Sequence, residues 1–464
     1  MMKNKLIKIL AVALALITLS GCTPAGDSET SAIEADITPE FTESSTVDSE
    51  PTETEAPETT EEETTEEVTT DPMEGMTNPY TPLNYEDIKA IWLSQFDLNS
   101  VYCSGSAQNS ETIYRKYLDK ILDNVAENGF NTVIVQVRPN ADSMYPSEYY
   151  PMSKYVVGSY GKTAKYDPFA IMIEEAHERK LSVQAWINPM RAMTTSEIAS
   201  VSNDYLIKQW YKDKETKGKY VVANGSNYYL NPAYEDVRNL IINGAREILL
   251  KYEVDGLHMD DYFYPTTESS FDAAAYKDYK ANGGKKSQEN FRKENLNLLV
   301  SGLWQMTKSV NPDMIFGISP AGNINNVRRD GADVDTWCSC EGYIDYICPQ
   351  VYFGLEHQNY DFVKVCKTFS DIIKTDKVKL VIGMTLGKAK SGVDNYAGTG
   401  KNEWAEHKDI LKRCLEHTES LDKCIGVAYF CYQYFYSPTS GAEVKETKTE
   451  RDNFIPVLKE ISWK

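Results

Sequence analysis

Asp255-Gly256-Leu257-His258-Met259-Asp260-Asp261-Tyr262-Phe263-Tyr264-Pro265 is the stretch on which the fold turns. Residues two apart on a strand share a face, so His258 and Asp260 point one way while Leu257 and Met259 point the other. Two adjacent carboxylates at the end of an apolar strand suit general acid/base or nucleophilic work. Parity with His258 favours Asp260. Asp261 then orients it, binds substrate, or turns inward where the strand ends.

Seven more short β-branched or aromatic runs surround this one: Ala90–Asp97, Thr132–Arg138, Ser182–Asn188, Met314–Ser319, Tyr346–Phe353, Lys379–Thr385 and Ile425–Tyr432, with the central run taken as Gly256–Phe263. Helical patterns fall between them at Glu111–Asn128, Pro168–Arg179, Ala233–Tyr252, Ser287–Val310, Asp361–Lys374 and Glu403–His417. A last one covers about Glu450 to Leu458, and the faintest lies around Ala332–Cys338. Asn128-Gly129 supplies a left-handed helix terminus before the second strand. Strands alternating with helices imply βαβ units and a parallel sheet. Eight repeats predict an α/β fold, a (β/α)8 barrel with enlarged βα loops over residues 85–464. A doubly wound sheet would need a glycine-rich first turn, and Leu98-Asn-Ser-Val-Tyr stands there instead.

The 464 residues carry a formal charge of −21, distributed unevenly. Residues 1–22 hold three lysines and no acid, residues 23–76 hold eighteen acids and no base, and the remainder is nearly balanced. With no long basic cluster, a nucleic-acid partner is not expected. Ile9–Leu19 is an apolar run of signal-peptide length ending in Leu19-Ser20-Gly21-Cys22, which looks like a bacterial lipobox with Cys22 as the lipidated residue. Residues 23–80, rich in Thr and Glu, are expected to form a disordered spacer that holds the barrel off the membrane. The predicted location is therefore outside the cytoplasm, lipid-anchored to the bacterial cell membrane. No obligate protein partner is evident.

Four strands carry polar side chains in one register near their C-terminal ends: Gln136 and Arg138; Gln184, Trp186 and Asn188; His258 and Asp260; Gln350 and Tyr352. Buried parallel strands are normally continuous apolar runs, and the C-terminal mouth of a barrel is where such enzymes keep their chemistry. Glycoside cleavage ordinarily uses two carboxyl groups. The second, beside Asp260, is Asp261, Asp97, Asp142 or Glu356. Thirty-one tyrosines and seven tryptophans, in clusters such as Tyr145, Tyr149 and Tyr150 or Tyr262, Phe263 and Tyr264, suit a sugar ligand. Five histidines without paired spacing, and Cys338-Ser-Cys340 without a second pair, give no metal site. No cofactor is expected.

Val135-Gln-Val-Arg-Pro139, Ala185-Trp-Ile-Asn-Pro189, Leu230-Asn-Pro232, the Asp255–Pro265 stretch, Phe316-Gly-Ile-Ser-Pro320 and Ile347-Cys-Pro-Gln-Val-Tyr352 together resemble the signatures of glycoside-hydrolase-like family 10. The resemblance covers roughly residues 85–440. It implies a (β/α)8 barrel acting on glycosidic bonds, in a family that includes lipoproteins and cell-wall enzymes that cut peptidoglycan strands stripped of stem peptides. Position by position it supports Arg138, Asn188, His258, Asp260, Asp261, Gln350 and Tyr352 as site residues; Trp186 and Tyr262 join them as substrate contacts. After Ser319-Pro320 this chain has Ala-Gly-Asn-Ile, where a bulky residue and Gly-Ile-Trp are expected, so one cleft wall differs. The rival reading is a carbohydrate-binding barrel without turnover.

Overall fold

The computed structural model describes residues 73, 75–260 and 263–463. The signal segment, Cys22 and residues 23–72 of the linker lie outside the described residues, as do Asp261 and Tyr262. Eight parallel strands close into a barrel: β1 Ile88–Leu93, β2 Thr132–Arg138, β3 Ser182–Ile187, β4 Gly256–Met259, β5 Ile315–Ile318, β6 Tyr346–Ile347, β7 Lys379–Thr385 and β8 Cys424–Phe430. Each strand pairs with its neighbours in sequence, and β8 closes on β1 with Ile88 opposite Gly426. The fold is a TIM barrel, as the alternation of strand and helix patterns predicts.

Two cores result from the two faces of the strands. The larger lies between strands and helices. The smaller fills the barrel with Ala90, Trp92, Ile134, Trp186, Tyr346, Cys348, Val381 and Ala428. Gly317 is what lets Tyr346 cross this interior, since a Cβ there would stand 1.9 Å from the Tyr346 ring.

Several elements end earlier than the sequence pattern suggests, each for a local reason. β1 stops at Leu93 because Ser94 caps a helix, Gln95–Tyr102, in a reciprocal capping box with Asp97. Asp97 is thus helical rather than the end of a strand. β6 stops at Ile347, ahead of Pro349, which has no N–H to give the ladder; Gln350 resumes contact through single bridges to Ala321 and Gly383. The expected helix Glu403–His417 is two, Glu403–Glu406 and Ile410–Thr418, with the Glu403 carboxylate accepting the N–H groups of Leu355 and Glu356. An unforeseen antiparallel sheet of Arg191–Thr194, Val221–Asn224 and Asn227–Leu230 enlarges the loop after β3. The two-residue turn Gly225-Ser226 between the paired Asn224 and Asn227, with Gly225 at φ 60°, is its hairpin signal.

At the opposite end the N-terminal segment is stitched under the barrel. Asp255, fully buried at the foot of β4, accepts from the Leu83 N–H, the Tyr80 hydroxyl (2.9 Å) and the Val183 N–H (2.6 Å), and lies 3.0 Å from His177 Nε2. Asn311 Nδ2 donates to the carbonyls of Asn78 and Tyr80.

Candidate active site

The C-terminal mouth holds a cleft lined by Trp92, Ser94, Gln95, Phe96, Gln136, Trp186, Arg191, Asp260, Ser319, Gln350, Tyr352 and Phe430. Asp260 is the one carboxylate among these described residues, and it is 3% exposed. A hydrogen-bonded string positions it. The Gln95 N–H donates to Gln136 Oε1 (2.8 Å), Gln136 Nε2 donates to Asn188 Oδ1 (2.7 Å), and Asn188 Nδ2 donates to Asp260 Oδ2. Each amide has its oxygen and nitrogen assigned by its neighbour, so the carboxyl is oriented from β2 and from the segments that follow β1 and β3 at once.

His258 shares the inward face with Asp260 but is sealed below the cleft, with no exposed surface. Tyr346 donates its hydroxyl hydrogen to Gln184 Oε1, so it can only accept from His258 Nδ1 at 2.7 Å. Nε2 is then the acceptor and takes the Ser319 hydroxyl hydrogen at 3.0 Å. Burial holds the imidazole at about 3, far below its ordinary 6.5, so it stays neutral with one tautomer. His258 therefore positions Ser319, and Ser319 rather than the ring lines the cleft. Gln350 Nε2 donates to the Ser319 carbonyl at 3.1 Å, tying β6 to the same corner.

The remaining predicted residues divide. Trp186 and Tyr352 line the cleft, and Tyr352 stacks on Phe430 with centroids 5.8 Å apart. Arg138 does not reach it. The β2–β3 register shifts between Gln136 and Arg138, which breaks the two-residue parity. The guanidinium turns into the helix layer, where it lies 4.6 Å over the Tyr150 ring and donates to the Tyr150 hydroxyl at 2.9 Å. Four members of the aromatic clusters offered as sugar contacts are core: Tyr145, Tyr150 and Tyr264 are buried, and Phe263 packs on Trp337. The aromatic wall is instead Trp92, Phe96, Trp186, Tyr352 and Phe430.

Two candidates for a second carboxylate are occupied elsewhere. Asp97 is fully buried, accepting from the Ser94 N–H and hydroxyl and the Gln433 N–H, and burial pushes its carboxyl up to about 6. Asp142, also fully buried, accepts from the Asn140 N–H and the Tyr160 hydroxyl. Glu356 stands half-exposed 3.7 Å from His407 and is not among the cleft residues. Two polar atoms of the cleft, Gln95 Oε1 and Trp186 Nε1, are buried without a hydrogen-bond partner.

The family model described as Glycosyl hydrolase-like 10 matches residues 87–397. Glycosyl hydrolase YngK of Bacillus subtilis (strain 168) is 34% identical over 331 residues, which are 66% of this chain and 62% of YngK. The chain thus spans less than two thirds of that relative. Glycosyl hydrolase DigH of Escherichia coli (strain K12) is 27% identical over 391 residues, covering 78% of this chain and 87% of DigH. Among solved structures, α-L-fucosidase isoenzyme 2 from Paenibacillus thiaminolyticus has a TM-score of 0.50 at 13% identity, covering 80% of this chain and 49% of that one, a likeness of fold.

Proposed function

This chain belongs to the glycosyl hydrolase-like 10 family, and from that premise we propose that it is a surface lipoprotein that hydrolyses glycosidic bonds of a polysaccharide, peptidoglycan glycan strands in particular. The observation that carries the reading is Asp260, oriented by Asn188 at the C-terminal end of β4 and facing an aromatic wall. Hydrolysis needs a proton for the leaving oxygen and a carboxylate or activated water at the anomeric carbon. Asp260 takes one of these roles. Asp261 takes the other, because Asp97 and Asp142 are already engaged in the fold and Glu356 stands outside the cleft. Tyr262 follows the pair as a substrate contact. The aromatic lining of the cleft, Trp92, Phe96, Trp186, Tyr352 and Phe430, suits the apolar faces of pyranose units.

The lipobox-like Leu19-Ser20-Gly21-Cys22 and the acidic stretch after it support anchoring outside the cytoplasm, with the barrel held within reach of the wall. Cys22→Ala should release the chain from the membrane fraction or leave its precursor unprocessed. A mature-sized, lipid-labelled mutant in the membrane fraction would overturn the anchor.

The activity is tested by incubating the purified protein with peptide-free peptidoglycan and a panel of glycans and measuring new reducing ends. Glycan binding without any new reducing end would favour a non-catalytic carbohydrate-binding barrel.

A further inference from the structure

Gln95 and Phe96 open the helix that follows β1, and neither is a carboxylate or a support of one through its side chain. Phe96 is 60% exposed, yet the residues on either side of it are tied into the fold. Ser94 and Asp97 cap the turn reciprocally, the Gln95 N–H is held by Gln136, and Asp97 Oδ1 accepts the Gln433 N–H from beyond β8. The exposed phenyl ring continues the aromatic lining formed by Trp92, Trp186, Tyr352 and Phe430, and a contiguous apolar surface of this kind marks a contact site.

A second observation comes from the other atoms of the same corner. Gln95 is 1% exposed, and its Oε1 receives no hydrogen bond; Trp186 is 6% exposed, and its Nε1–H finds no acceptor. Buried polar groups are normally paired, and an orphaned acceptor and an orphaned donor on one cleft call for an occupant. Once the two side chains turn toward the cleft they line, a pyranose unit supplies every missing part: a C–H face for the phenyl ring, a donor for Gln95 and an acceptor for Trp186. The geometry points to a sugar subsite at Gln95 and Phe96, where a substituent of one unit of the glycan chain (a hydroxyl or an acetamido group) donates to Gln95 Oε1. This rests on the glycan reading above and adds the residues that select and hold the chain beside Asp260.

The test uses the full-length protein with peptide-free peptidoglycan strands, chitohexaose and cellohexaose, by steady-state kinetics and by isothermal titration. Phe96→Ala and Gln95→Met should each raise KM about tenfold, the size of one stacking contact or one neutral hydrogen bond, with kcat within about twofold. Phe96→Trp should restore KM. Gln95→Met should melt at or above the wild-type temperature, because it removes an unpaired buried acceptor; a structural glutamine would lower Tm instead. Sensitivity to the variants on chitohexaose alone assigns the acetamido group, and sensitivity on both hexaoses assigns a hydroxyl. Unchanged KM in both variants, or a loss confined to kcat, overturns the subsite. If the wild type binds these glycans without cutting them, the hydrolase reading fails and the same variants judge the subsite by titration. If it binds none of the three, the subsite fails as well.

Discussion

β4 begins at one carboxylate and ends at another, and the two ends of the barrel treat them differently. Asp255, at the foot, is enclosed by two backbone N–H groups, a tyrosine hydroxyl and an imidazole, and it holds the N-terminal segment under the barrel. Asp260, five residues on, accepts from Asn188 and lines a cleft whose neighbours include the Gln95 amide and the Trp186 indole. The carboxylate at the foot ties separate segments together, and the one at the mouth lines a cleft that can admit a ligand. The same residue type on one strand is thereby given two uses by its surroundings.

The largest expected effect breaks the lower end. Asp255→Ala strands the Val183 and Leu83 N–H groups in a buried place, and unfolding should cost about 3 kcal/mol less, read from the denaturant midpoint. The activity of the protein that remains folded should be unchanged. A loss of turnover at unchanged stability would abolish the contrast between the two ends.

The upper end should break in the opposite sense. Asp260→Asn keeps volume and removes a proton site, so glycan hydrolysis should fall by at least ~10²-fold with binding retained and Tm nearly unchanged. Asp261→Asn should lose a similar amount if the two form the reacting pair. Near-wild-type hydrolysis by a folded Asp260→Asn protein would remove Asp260 from the mechanism.

A third effect concerns the sealed layer between the ends. His258 is held at about 3 against an ordinary 6.5, so below pH 6.5 the unfolded chain binds its proton first and folded stability falls. Asp97 at about 6 and Glu450 at about 7 have raised values, so they add stability as pH falls through the same range. The opposing signs partly offset one another in the wild type. His258→Gln removes only the first term, so between pH 6.5 and pH 5 its stability relative to wild type should improve by about 2 kcal/mol, at about 1.36 kcal/mol per pH unit. Parallel stability curves for the two proteins would mean that the imidazole is not held neutral.

The barrel was legible because its signals are local and repeated: apolar runs, helical periods and the glycine after Asn128 recur at spacing that admits few architectures. Asp260 and Asn188 followed from strand parity, which holds while the strand is regular. Arg138 shows where parity ends, since the shift after Gln136 turns its side chain outward and no residue in Gln136-Val137-Arg138 announces it. Gln95, Phe96 and Phe430 were missed for a different reason. They become neighbours of Asp260 only when β8 closes on β1, a contact between segments more than three hundred residues apart. Trp92 was missed because an inward tryptophan on an apolar strand reads as core. It is both core and cleft wall.

The smallest effect sharpens the comparison from below. Tyr80→Phe keeps the ring, which stacks on His177 at 5.5 Å, and deletes the hydroxyl that donates to Asp255 and lies 3.3 Å from His177 Nε2. Asp255 retains the Val183 and Leu83 N–H groups, so the carboxylate is not stranded and the cost should be that of one hydrogen bond to a charged acceptor, about 1.5 kcal/mol. The hydroxyl lies at the opposite end of β4 from Asp260, so kcat and KM on the glycan should both stay at wild-type values. Tyr80→Phe combined with Asp255→Ala should lose little more than Asp255→Ala alone, because only the contact with His177 Nε2 is then left to the hydroxyl. Full additivity in that double-mutant cycle would show that Tyr80 acts through something other than Asp255.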